Sequence, residues 1–338
     1  MSWRRWALGL GAMGCIALGG CSSDSGSGES GTGGADSGGS GASGGSGASG
    51  GSGASGGSGA SGGSGASGGS GASGGSGASG GSGASGGSGA SGGSAGQGNG
   101  SPGCGKQSPT GLNEDTTIQV GGETRDFVLS VPEDYDATSP HPLIFGFHGL
   151  NADGKAAHNY LKLEQATGKP AIFVYPSSRS ASAGWQMKEG QGDIEFFDAL
   201  VDELTADYCV DTSRIFSTGF SHGAMFTNNL TCARIDKLRA IAPIGGSGPW
   251  FGAQCTGAVP VLLVHGTKDM TVLFTDGEKS RDHWLGENGC GSSTQAYTPD
   301  PCVAYQGCND PVVFCAFDGG HTVPGFAGQA VRSFFDSM

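Results

Sequence analysis

The sequence predicts an α/β domain: a mainly parallel sheet with helices on both faces and an antiparallel hairpin at the N-terminal edge. Three observations carry this. Six short runs between residues 142 and 317 are almost continuously apolar, as strands buried on both faces are. Helical periodicity lies between them, clearest where Ile194, Phe197, Leu200, Val201 and Leu204 recur on one face. Residues 116–120 and 126–131 alternate on either side of Gly121-Gly122, a hairpin signal. Alternating strands and helices build a parallel sheet covered on both faces, with active sites at the C-terminal ends of its strands.

In chain order, residues 1–20 read as a signal segment: Arg4 and Arg5, an apolar stretch over 6–18, then Gly19-Gly20 before Cys21. The apolar core is short for a membrane-spanning helix. Leu18-Gly19-Gly20-Cys21 resembles the lipobox of bacterial lipoproteins, which implies lipidation of Cys21; Ser22 after it points to the outer membrane or cell surface. Residues 21–101 form a Gly/Ser-rich tether in which Gly-Ala-Ser-Gly-Gly-Ser is repeated nine times over 41–94. Such a chain has no apolar surface to offset the entropy of ordering and is expected to be a flexible coil. With about 5–6 Å times the square root of length, its typical span is on the order of 50 Å. Residues 102–338 then carry aromatic, aliphatic and charged residues at the density of one folded domain.

The formal charge is −13, of which residues 1–101 supply −1. An acidic domain without a Lys/Arg stripe excludes nucleic acid as the expected partner. The domain holds eight cysteines, an even number in an exported chain, which reads as disulfides. The absence of CxxC pairs and His clusters argues against metal binding. The expected pairings are Cys209 with Cys232 and Cys290 with Cys308.

The apolar runs at 142–147, 171–175, 214–218, 240–244, 259–264 and 312–317 are the expected strands, and Asp193 is placed to cap the helix that starts at Ile194. After the run at 214–218 comes Gly219-Phe220-Ser221-His222-Gly223, which matches the G-x-S-x-G elbow of the α/β-hydrolase fold. The pattern alone carries little weight, since Gly41-Ala42-Ser43-Gly44-Gly45 and every later repeat also match it. Context separates Ser221, which has a strand before it and a plausible helix over 222–232 after it.

A serine hydroxyl needs a base within hydrogen-bond reach, and the base needs a carboxylate to orient it. In this fold they follow the serine as acid, then histidine. His222 adjoins the nucleophile, His265 precedes the acid and His283 falls in a helix, which leaves His321 in Asp318-Gly319-Gly320-His321. Asp269 follows the run at 259–264 and is the expected acid; Asp276 and Asp318 are alternatives. The backbone amides of His222 and Leu150 are the expected oxyanion donors. His148 reads as a structural hydrogen-bonder, and Trp185 and Trp250 as walls for an aromatic acyl group or polymer segment. No cofactor motif is present.

Gly146-Phe147-His148-Gly149, Cys209-Val210-Asp211, the elbow, His265-Gly266-Thr267-Lys268-Asp269 and Gly319-Gly320-His321-Thr322-Val323-Pro324-Gly325, with Gly103-Cys104-Gly105-Lys106 at the domain start, resemble the feruloyl esterase and polyhydroxybutyrate depolymerase family, related to carbohydrate esterase family one. The likeness spans residues 102–338 and puts Ser221, Asp269 and His321 on that family's triad. It implies a serine esterase acting on hydroxycinnamoyl esters of plant cell-wall polysaccharide, with polyhydroxyalkanoate depolymerisation and acetylxylan ester cleavage as alternatives. Val323, where these enzymes often carry tryptophan, and the acid loop at 270–274 depart from the pattern at the expected cleft. A surface binding protein on an inactive hydrolase scaffold is the alternative of a different class, and the complete set of three catalytic residue types speaks against it.

Overall fold

The computed structural model describes residues 100–250 and 255–338; the expected signal, Cys21 and all of the tether but its last two residues lie outside them. Among the described residues, the last two of the expected tether already contact the domain: Gly100 bridges to Asp211 and Ser101 N–H donates to the Val210 carbonyl.

The hairpin comes first: β1 (Gly111–Val120) and β2 (Glu123–Val131) pair antiparallel. Its two-residue turn needs positive φ at both positions, and Gly121 and Gly122 supply 59° and 86°. There follow β3 (His141–Phe147), α1 (Gly154–Leu161), β4 (Ile172–Pro176), α2 (Asp193–Asp207), β5 (Val210–Phe220), α3 (His222–Ala233), β6 (Ala240–Ile244), β7 (Val261–Gly266) and α4 (Phe274–Glu287). The chain ends with β8 (Thr294–Ala296), β9 (Cys302–Tyr305), β10 (Val312–Phe317) and α5 (Ala327–Asp336).

The ten strands of the described residues lie in one sheet, in the order β1-β2-β4-β3-β5-β6-β7-β10-β9-β8. The six apolar runs are its parallel centre, from β4 to β10. Their side chains alternate between two cores. Leu143, Phe145 and Phe147 of β3 pack with Phe196, Phe197 and Leu200 of α2, Phe226 and Leu230 of α3 and Trp284 of α4. Ile144 points the other way, into a core with Ala157 and Leu161 of α1 and Val331, Phe334 and Phe335 of α5. Apolar residues at every position are therefore required, because each face of the sheet is covered.

Two details depart from the sequence reading. Asp193 is the first residue of α2, not its cap: its carboxylate is buried and accepts from Arg125 Nη2 at 2.7 Å, while Glu195 reaches back to the Gly192 amide at 2.8 Å. A second antiparallel hairpin, β8–β9, extends the far edge of the sheet.

Four disulfides staple the described residues: Cys104–Cys209, Cys232–Cys255, Cys290–Cys308 and Cys302–Cys315. The expected Cys290–Cys308 pair is present. The expected Cys209–Cys232 pair is not. Cys209 enters β5 while Cys232 sits at the end of α3, a full layer off the sheet, and a disulfide needs Cα atoms within about 7 Å. Each instead takes a loop partner. Gly103 lets the N-terminal segment lie against Tyr208, since a Cβ there would meet the Tyr208 carbonyl oxygen at 2.2 Å, and this brings Cys104 to Cys209.

Candidate active site

At the C-terminal end of β5 the chain reverses through Ser221 into α3. Ser221 has φ 56° and ψ −118°, a conformation that costs a non-glycine residue about 1–3 kcal/mol and that the surrounding packing must hold. The flanking glycines are a matter of space. A Cβ on Gly219 would lie 2.6 Å from Gly223 backbone atoms, and one on Gly223 would lie 2.2 Å from the Phe147 carbonyl oxygen and 2.6 Å from that of His148. No side chain fits at either position, so the start of α3 touches the end of β3. The Ser221 amide donates to the Ile244 carbonyl at 2.9 Å, tying the elbow to β6.

The loops after β7 and β10 bring two more groups to this point. Ser221 Oγ is 2.8 Å from His321 Nε2, and His321 Nδ1 is 2.6 Å from Asp269 Oδ2. Asp269 is buried, and its other oxygen accepts from the Thr271 and Val272 amides at 2.9 and 3.0 Å. His265 Nε2 lies 2.9 Å from the Val272 carbonyl oxygen, bracing the same loop. The Phe220 ring packs against the His321 imidazole at a centroid distance of 4.8 Å. With an acceptor on one nitrogen and a donor on the other, this chain can carry the hydroxyl proton to His321.

The other candidates lie elsewhere. Asp318 pairs with Lys268 at the surface, and Asp276 with Lys279 on α4. His283 stands edge-on to Trp284 on α4.

The segment 148–150 passes beside Ser221: a Cβ on Gly149 would sit 3.4 Å from Ser221 Cβ. Its backbone is held at three points, and a fourth hydrogen bond anchors the His148 ring. His148 Nε2 accepts from the Ser178 amide, His148 Nδ1 donates to the Gly149 carbonyl, Trp185 Nε1 donates to the His148 carbonyl, and the Gly149 amide donates to the Tyr160 hydroxyl. Burial pushes the His148 pKa down, so the ring stays neutral and keeps this one-donor, one-acceptor pattern. The next amide is that of Leu150. The His222 amide, first in α3, is one of the helix's unpaired N-terminal donors.

Trp185 corrects an expectation. It is only 3% exposed, stacked on Phe226 and edge-on to Phe147, so it offers no face to a substrate and instead supports the 148–150 segment. Trp250 is 37% exposed on the loop after β6. Sequence reasoning missed Tyr160 and Arg125 and read Asp193 only as a helix cap; all three hold the surrounding loops, through partners outside their own elements that no local pattern marks. Of the five large hydrophobic residues exposed among the described residues, four (Leu150, Trp250, Met270 and Leu273) rise from loops at this end of the sheet.

The fold and the site define an α/β-hydrolase of the carboxylic ester hydrolase class. A probable feruloyl esterase C of Aspergillus niger is 36% identical over 238 residues, covering 66% of this chain and 84% of the fungal one. Feruloyl esterase C of Emericella nidulans is 34% identical over 238 residues with the same coverage, and feruloyl esterase D of Neurospora crassa 32% over 241 residues, covering 65% and 82%. The chain belongs to the feruloyl esterase family. Among solved structures, an acetyl xylan esterase from Aspergillus awamori is similar in fold, with TM-score 0.55 at 20% identity, over 66% of this chain and 98% of that one. A ferulic acid esterase gives TM-score 0.52 at 13% identity, over 68% and 99%. No family model matches the chain.

Proposed function

We propose that this protein removes feruloyl and related hydroxycinnamoyl groups from plant cell-wall polysaccharide esters through an acyl-enzyme. The observation that carries the reading is the hydrogen-bonded series Ser221, His321, Asp269 at the ends of β5, β10 and β7, in a chain 36% identical to a probable feruloyl esterase. Ser221 Oγ attacks the ester carbonyl as His321 Nε2 takes its proton, and Asp269 stabilises the imidazolium that forms. The amides of Leu150 and His222 hold the oxyanion, each donor being worth on the order of 10²–10³ in turnover. His321 then protonates the leaving sugar oxygen, and water enters by the same steps in reverse to release the acid. The exposed apolar side chains of Leu150, Trp250, Met270 and Leu273 give the site a rim suited to an aromatic acyl group.

The expected result is ferulate released from a feruloylated arabinoxylan fragment faster than 3-hydroxybutyrate from its oligomers or acetate from acetylxylan, read by chromatography of the products. Release of 3-hydroxybutyrate or acetate alone would overturn the acyl assignment.

Four disulfides suit an oxidising compartment. In the same reading Cys21 is lipidated and the tether lets the domain search about 50 Å around its anchor. A Cys21→Ser chain is expected to leave the membrane fraction of expressing cells for the soluble one; unchanged fractionation would refute the anchor.

A further inference from the structure

The residue after the nucleophile offers a directed hydrogen-bond donor that the ester chemistry does not use. His222 opens α3 with its ring half-buried, and its Nδ1 lies 3.0 Å from the Trp185 backbone N–H. A backbone amide can only donate, so Nδ1 must carry its lone pair. The neutral ring therefore holds its proton on Nε2. That nitrogen has no protein partner and is not among the fully enclosed unpaired atoms of the described residues, so its N–H is open to a ligand.

Protonating Nδ1 would set two donors against each other. Partial burial moves the His222 pKa below the usual imidazole value, and the positive end of α3 acts in the same direction. The contact is also held from behind. Gly184, at φ 67°, presses against the ring: a Cβ there would be 2.4 Å from Nδ1 and 2.9 Å from Leu150 Cδ1. Beyond Trp185, the Gln186 amide donates to Asp193 Oδ2 at 2.7 Å, and Asp193 is locked to Arg125 in the core. A buried ion pair thus fixes the loop that fixes the tautomer.

The direction of the donor follows from the topology. The leaving oxygen must lie by His321, which comes from β10, on one side of β5. The His222 ring is packed against Gly184 and Leu150, from the loops after β4 and β3 on the other side. What lies away from His321 is the acyl part of the ester. Building on the feruloyl esterase reading above, we infer that His222 is a specificity-determining residue whose Nε2–H donates to a ring oxygen of the hydroxycinnamoyl group.

The test compares kcat/KM for methyl ferulate and methyl cinnamate, which lacks ring oxygens. The ratio is taken within each variant, so altered folding or a shifted oxyanion amide cancels. His222→Phe and His222→Ala should each lower the ferulate-to-cinnamate ratio about tenfold, the worth of one such hydrogen bond. His222→Gln, which can place an N–H near the same point, should recover part of it. A ratio unchanged in both variants that lack the donor would show that the ring only fills space and would overturn the inference. Wild-type protein that hydrolyses neither ester would instead overturn the substrate reading, which keeps the two failures apart.

Discussion

Ser221→Ala should cut turnover of methyl ferulate by about 10⁴–10⁶ while leaving the fold in place. The substitution removes the one oxygen that faces His321 Nε2 at 2.8 Å. It keeps the Ser221 amide bond to the Ile244 carbonyl, and alanine bears the positive φ no worse than serine does. The thermal midpoint should therefore move little, and substrate should still bind. The remaining rate would come from the oxyanion donors acting on water, which in triad enzymes retain roughly 10³–10⁴ over the uncatalysed reaction. Steady-state rates with a circular dichroism melt on the same sample separate lost chemistry from lost folding. An unchanged esterase rate would place the nucleophile elsewhere and remove the basis for the whole site.

Much of the architecture was readable because it follows from burial on two faces. Residues such as Leu143, Ile144 and Phe145 must all be apolar when α2 and α5 cover opposite sides of the sheet, and that leaves a continuous run in the sequence. The β8–β9 hairpin left no such trace. Thr294, Gln295 and Ala296 are all exposed, β9 is only four residues long, and the Cys302–Cys315 disulfide helps hold β9 against β10.

Ser221, Asp269 and His321 could be named because the fold orders them along the chain, and the structure joins them in one hydrogen-bonded series. The motif at Ser221 contributed little, since the tether repeats it. Residues that act through partners were harder. Trp185 follows a glycine as a cleft tryptophan could, yet its ring and indole N–H serve the backbone of His148 from 37 residues away. Asp193 carries the signature of a helix cap and is instead consumed by Arg125, 68 positions earlier. Short-range patterns are blind to such pairings, and the Cys209–Cys232 expectation failed for the same reason.

Asp269→Asn should lower kcat by about 10⁴ with little change in KM, and the cause is the direction of a proton rather than the loss of a contact. Asp269 Oδ1 accepts from the Thr271 and Val272 amides. The substituted side chain satisfies both only by keeping its oxygen there, which turns its NH₂ toward His321 Nδ1. That nitrogen must then accept, and the imidazole proton moves to Nε2. The ring would meet the Ser221 hydroxyl with a donor where the reaction needs an acceptor, so attack loses its base although every heavy atom is nearly in place. Asp269→Ala makes the control. It leaves the Thr271 and Val272 amides without their acceptor, at about 1–3 kcal/mol for the buried Val272 amide, and so should lose thermal stability as well as rate. An Asn variant as active as the parent, with the Ala variant equally stable, would mean that the carboxylate neither orients His321 nor holds its own loop.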